Sequence, residues 1–229
     1  MAQYFVIHPT HPQKRLVAQA AKIVRDGGLI AYPTDSCYAL GCHTGDKDAM
    51  ERMRRVRGMD EHHHLTLMCR DIGEVAMFAR VDNVRYRFLK SLTPGCYTFI
   101  LEGTHELPRR ILHPRRKTIG VRIPDHPVAQ ALLAELGEPM LSATAIPPGS
   151  TEPIDDAADI RARFEHDLAL VLDGGSCGGV PTTVIDLTGP EAVVVRKGRG
   201  PVPGLDAQVG GGAGKDAEAD GDVLAGDRG

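Results

Sequence analysis

The segment Tyr32-Pro-Thr-Asp-Ser-Cys-Tyr-Ala-Leu-Gly-Cys42 gathers hydroxyls and one carboxylate into a single turn between apolar stretches. Leu29, Ile30 and Ala31 read as a short strand, and Pro33, which has no N–H to give to a ladder, takes the chain out of the sheet. Thr34, Asp35, Ser36 and Tyr38 are thereby left at a sheet edge. In α/β proteins such edges hold many small-molecule sites, with apolar walls and a few fixed polar groups. The same residue types also make a plain turn whose hydroxyls satisfy the backbone. On this segment alone a pocket lip and a structural turn both stand.

Cations supply the second kind of chemistry. Basic residues bunch at 52–57, 109–117 and 196–199. Guanidinium groups stay charged and match phosphate or carboxylate oxygens in pairs, which suits an anion site; each run by itself reads first as a solvated face. Arg55 and Arg57 diverge if they end a helix and share one side if the chain is extended there. Three other clusters are given no catalytic role. His62-His63-His64 would point to alternate faces of a strand, so it reads as a solvated loop, and no metal site is assigned. Asp125-His126 precedes Pro127, which makes Asp125 a helix cap. Gly174-Gly-Ser-Cys-Gly-Gly179 lacks the Gly-Lys-Ser/Thr ending of a phosphate loop and reads as a flexible connector.

The elements that must position these groups alternate. Apolar periodicity and stop signals predict helices over 11–25, 46–56, 71–80, 83–91, 127–136 and 155–164. Strands are predicted over 29–31, 65–69, 97–101, 119–123, 140–144, 169–172, 183–187 and 193–196. This is the pattern of an α/β sheet covered by helices.

Six separated segments agree on more. They are the Tyr32–Cys42 turn, Arg54-Arg-Val-Arg57, Thr93-Pro-Gly-Cys-Tyr-Thr-Phe-Ile-Leu101, Ile119-Gly-Val-Arg-Ile-Pro-Asp-His-Pro127, Leu141-Ser-Ala-Thr-Ala-Ile-Pro-Pro-Gly149, and Pro181-Thr-Thr-Val-Ile-Asp-Leu187 with Val195-Arg-Lys-Gly198. In this order they resemble the YrdC/YciO family over residues 1 to about 200, and Phe5-Val-Ile-His-Pro at the start is most similar to the YciO branch. The resemblance implies a YrdC-like twisted, open, mixed sheet with helices on its faces and a large concave pocket, over residues 1–204.

It also implies a reaction, the formation of threonylcarbamoyl-AMP from L-threonine, bicarbonate and ATP for t6A modification of tRNA, with magnesium carried by the triphosphate. On the residues that match the family's motifs, Arg55 and Arg57 are the catalytic cation pair, and Arg57, Thr118 and Arg196 face ATP. Thr34, Tyr38, Arg122, Thr144 and Thr182 are the threonine side. Two anions must meet in this chemistry, which charged guanidiniums and positioning can promote without a covalent nucleophile. One departure stands out. Where the family has Ser-Ala-Asn, this chain has Thr144-Ala-Ile146, so an amide is replaced by a branched hydrocarbon. A double-stranded RNA or tRNA-binding module and a nucleotide-binding protein without turnover are the alternatives.

Composition bounds these readings. The 229 residues carry a formal charge of −3 and 42% hydrophobic residues, ordinary for a globular chain. From residue 201 on, six acids face two bases, a balance of −4 that leaves +1 for residues 1–200. That is little for a nucleic-acid binder. Residues 205–229, acidic and rich in Gly and Ala, are expected to be a disordered tail, because they cannot bury enough apolar area to offset chain ordering. With no signal pattern and no apolar run long enough for a membrane span, the chain is expected in the cytoplasm. Its five cysteines are expected to be free thiols.

Overall fold

The computed structural model describes residues 1–59, 63 and 65–202. The tail expected from residue 205, and His62 and His64 of the histidine run, lie outside the described residues. Ten strands and six α-helices follow in the order β1 Gln3–Val6, α1 Lys14–Arg25, β2 Ile30–Tyr32, β3 Ala39–His43, α2 Lys47–Arg57, β4 Thr66–Met68, α3 Ile72–Phe78, α4 Asn83–Leu92, β5 Tyr97–Glu102, β6 Thr118–Arg122, α5 Pro127–Leu136, β7 Met140–Thr144, α6 Ala157–Phe164, β8 Leu170–Asp173, β9 Thr183–Asp186 and β10 Val193–Arg196. The expected helices are all present, trimmed at their ends by caps. Aspartates 46, 71, 82 and 156 accept the first free N–H groups of α2, α3, α4 and α6, and Gly58 and Gly137, at φ 66° and 74°, close α2 and α5. The cap of α5 is His126, not Asp125: its imidazole accepts the Val128 N–H. The sequence reading missed β1 and β3. β3 is Ala-Leu-Gly-Cys-His, too short and too poor in β-branched residues to register.

All ten strands form one mixed sheet, ordered β1-β8-β2-β3-β7-β4-β6-β5-β9-β10. Period-two alternation sorts the core. Ile30, Tyr32, Met68, Met140, Leu170 and Leu172 turn toward α1 and α5, while Ala31, Leu67, Leu141 and Val171 turn to the other side, with Met50, Met53 and Val56 of α2. Beyond β7 the apolar side continues through Ile119, Val121, Phe99, Leu101 and Ile185. Its reverse carries Thr66, Thr98, Gly120 and Arg122. That reverse is a polar floor, and a Cβ at Gly120 would lie 3.2 to 3.3 Å from Thr66 Oγ1 and Thr98 Cγ2.

One irregularity decides what the last strand contributes. Val194 pairs with Ile185, but the next pair is Arg196 with Val184, a bulge in β10. Without it Arg196 would fall on the core side with Val194. The extra residue re-aims it to the face of Thr98, which pairs with the same Val184.

Candidate functional site

Arg122 ends β6 on the polar floor and is 7% exposed. A single nitrogen, Nη2, donates to Thr34 Oγ1 at 3.2 Å, to Ser36 Oγ at 2.9 Å and to the Asp35 carboxylate. The turn after β2 therefore comes to β6, four strands away in the sheet order. In a flat sheet those strands would be about 19 Å apart, beyond an arginine's reach. Twist of about 90° over four steps, together with curling of the sheet, closes that gap. The buried Nε of Arg122 has no hydrogen-bond partner, so donor capacity remains for a ligand.

Asp35 is enclosed from several sides. Burial pushes its carboxyl toward the neutral form, but the Arg122 charge, the Cys96 thiol and the Asp125 N–H outweigh that and hold it below the ordinary carboxylate value. Cys96 Sγ lies 3.1 Å from Asp35 O and 3.2 Å from Asp35 Oδ2. Burial and the Asp35 charge raise that thiol to about 12, and burial raises Cys37 to about 11 and Cys177 to about 12. The thiols around the turn are protonated at neutral pH and offer no nucleophile.

Thr34 serves its own turn first, donating to Cys37 O at 2.6 Å. Thr182 shares a 2.8 Å hydroxyl contact with Thr98, and Arg196 Nη2 donates to Thr182 O at 3.3 Å. Thr34, Arg122, Thr182 and Arg196 are thus gathered at one end of the floor. Thr118 opens β6 four residues, about 13 Å of strand, from Arg122, while Thr144 ends β7 beside the turn: it pairs with Ala39, which pairs with Tyr32, and the next N–H, of Ala145, donates to Tyr38 O at 2.9 Å. Arg57 reaches the chain just past Thr144: it is 7% exposed and its Nη1 donates to Ile146 O at 2.7 Å. The Ile146 side chain is buried as well.

Two expected residues stand elsewhere. Residues 55–57 are helical, not extended, so Arg55 and Arg57 point about 200° apart. Arg55 faces outward, its side chain 71% exposed and 3.4 Å from Asp167; no catalytic pair forms. Tyr38 is fully buried. Its hydroxyl donates to Gly175 O at 2.9 Å and accepts Gly174 N–H at 3.2 Å, so it anchors the glycine loop instead of facing a ligand. Sequence reasoning quoted Asp35 without giving it a role and passed over Thr98, which period-two alternation in β5 could have placed on the floor. Among the described residues no group of three or more His, Cys, Asp or Glu could hold a metal, and no helix is long and apolar enough to cross a membrane.

The chain resembles known proteins along most of its length. Residues 22–198 match the family model Sua5_yciO_yrdC, described as telomere recombination. The chain is 55% identical to YciO of Escherichia coli K12 over 202 residues, 88% of this chain and 98% of that one. It is 34% identical to a threonylcarbamoyl-AMP synthase of Chromobacterium violaceum over 181 residues, 78% of this chain and 92% of that one. The crystal structure of E. coli YciO superposes with a TM-score of 0.87 at 54% identity, over 90% of this chain and 100% of that one. The structure of P. abyssi Sua5 complexed with L-threonine superposes with a TM-score of 0.80 at 26% identity, over 90% of this chain and 61% of that longer one. A family match through nearly the whole described fold, carried by the segments that build the floor and its turn, means that this chain belongs to the Sua5/YciO/YrdC family.

Proposed function

We propose that this chain binds an α-amino acid and ATP on the polar floor and joins them as a threonylcarbamoyl-AMP synthase does, with L-threonine as the amino acid and bicarbonate as the carbon source. The observation that carries this reading is Arg122: a buried guanidinium with spare donors, ringed by the Thr34 and Ser36 hydroxyls and the ionised Asp35. A zwitterion bearing a hydroxyl complements this set. Its carboxylate takes the free N–H groups of Arg122, its ammonium faces Asp35, and its hydroxyl exchanges hydrogen bonds with Thr34 or Ser36. A relative of this fold has been solved with L-threonine.

In this reading the ammonium first gives up a proton to solvent, bicarbonate divides into carbon dioxide and hydroxide, and the neutral amine attacks the carbon dioxide, the hydroxide taking the second proton as water and leaving a carbamate. A carbamate oxygen then attacks the α-phosphorus of ATP and pyrophosphate departs. Arg57 and Arg196 are the cations that hold phosphate oxygens as charge moves toward the leaving group, Thr118 supplies a hydroxyl on the nucleotide side, and Thr144 one on the threonine side. Arg55, turned to solvent, supplies at most long-range charge. The residues present do not form a magnesium cage, so magnesium enters with the triphosphate as part of the substrate. The product serves t6A modification of tRNA.

Ile146 favours a second reading, nucleotide binding with little turnover, because its buried hydrocarbon offers no hydrogen bond where an amide could. A duplex-RNA or tRNA-binding role draws on exposed basic residues such as those at 109–117. Calorimetry with L-threonine and its 2-hydroxy acid analogue separates the synthase reading from these. Threonine is expected to bind, and the analogue, lacking the ammonium that meets Asp35, to bind at least about tenfold more weakly. Equal binding of the two, or none of either, would contradict the reading.

A further inference from the structure

The segment that follows β10 carries an arginine that none of the assignments above uses. Lys197-Gly-Arg-Gly200 runs beside residues 181–183 as a strap pinned at four points. Arg199 N–H donates to Pro181 O at 2.8 Å, Gly198 N–H to Thr183 Oγ1 at 3.0 Å, the Thr183 hydroxyl to Gly200 O at 2.6 Å, and the Tyr97 hydroxyl to Pro201 O at 2.7 Å. The approach is close enough to demand glycine. A Cβ at 198 would lie 2.4 Å from Pro181 O and from Thr182 C, and one at 200 would lie 2.4 Å from the Tyr97 ring. A backbone held this closely sets where the Arg199 side chain leaves it.

Arg199 is exposed, and among the described residues no carboxylate forms an ion pair with it. One of its nitrogens, Nη1, donates to Cys177 O at 3.2 Å, and the Cys177 thiol faces the Thr34 backbone. Arg199 therefore stands a single residue away from the Thr34 turn. Its positive charge reaches the Cys37 and Cys96 thiols, as does that of Arg122.

We propose that Arg199 is a further phosphate-binding residue of this site, gripping the nucleotide's polyphosphate from the strap that follows Arg196. The inference rests on the nucleotide reading above and deepens it. Two arguments select phosphate over a second carboxylate. Asp35 already matches the Arg122 guanidinium, so one ligand carboxylate calls for no additional arginine there, whereas a polyphosphate carries several charges at once. Arg199 also spends one nitrogen on a carbonyl and keeps its remaining N–H groups for bidentate contact, and its exposed position suits a group that must enter as triphosphate and leave as pyrophosphate.

Inorganic tripolyphosphate is the probe, titrated by calorimetry into the full chain, its Arg199→Ala and Arg199→Lys variants, with L-threonine titrated in parallel. Arg199→Ala is expected to weaken tripolyphosphate binding about tenfold or more, to leave L-threonine affinity and melting temperature unchanged, and to be partly rescued by lysine. Unchanged tripolyphosphate affinity in Arg199→Ala, no tripolyphosphate binding by the native chain, or an equal loss of threonine affinity would each overturn the assignment. The probe has no adenosine and the assay needs no turnover, so a chain that makes no adenylate can still support or refute this role.

Discussion

At the scale of single residues, the Asp35–Arg122 pair ties stability to the proposed recognition of the ligand. Both side chains are 8% exposed, so removing one leaves the other's charge buried. Asp35→Asn is expected to cost about 3–5 kcal/mol at neutral pH, measurable by urea unfolding. The pair also shapes the acid limb of stability. The folded-state pKa of Asp35 is held below its ordinary value; its contribution is therefore fully present above the unfolded value near 3.9 and disappears as pH falls through the lower, folded one. Asp35→Asn should flatten the stability profile below about pH 4, and an unaltered acid limb would mean that the carboxylate is not held as described. Arg57 combines roles in the same way. Because it is buried and bonded to Ile146 O, Arg57→Ala should lose about 1–3 kcal/mol of stability along with at least tenfold in ATP affinity. Ile146→Asn is expected to raise threonine- and bicarbonate-dependent pyrophosphate release while costing about 1–3 kcal/mol of stability where the amide is unpartnered. A cost without a gain would indicate a pocket retuned for another ligand.

At the scale of elements, the strap after β10 and the bulge within it decide whether Arg196 and Arg199 meet the floor at all. Gly198→Ala forces a Cβ against the backbone of 181–182, an overpacking expected to cost about 1–3 kcal/mol. It should lower the melting temperature by several degrees and weaken phosphate binding together. A variant as stable as the parent would show that the strap yields. These elements also mark the limits of what the sequence disclosed. Helix α5 was legible to the residue because Pro127 starts it and Gly137 ends it, and α2 to within a residue at each end, from Asp46 and a run with Met50 and Met53 on one face. Strands β7 and β10 were legible as short apolar runs. The bulge at Val194–Arg196 was not, since nothing local distinguishes a residue that pairs from one that is skipped. The divergence of Arg55 and Arg57 turned on where α2 ends, a boundary that a sequence fixes only within a residue or two. Asp35 meeting Arg122 is a contact between residues 87 apart in the chain, and it is created by sheet twist. Local patterning cannot contain it.

At the scale of the whole molecule, the polar patch exists because the strands curl far enough to bring the turn after β2 to the end of β6, with apolar layers packed on the sheet around it. Ligands bound on that floor should stabilise the fold by mass action, by about 2.7 kcal/mol at a hundredfold excess over Kd. L-threonine and ATP together are expected to raise the melting temperature more than either alone. Equal shifts for the pair and for ATP alone would place threonine elsewhere. The most direct test of the central claim follows product formation by the native chain, as pyrophosphate released from ATP and threonylcarbamoyl-AMP identified by mass, with L-threonine and bicarbonate each withheld in turn. The account predicts product only when all three substrates are present and its loss in Arg122→Ala. Pyrophosphate release that ignores threonine, or no product beside a synthase that is active under the same conditions, would contradict it.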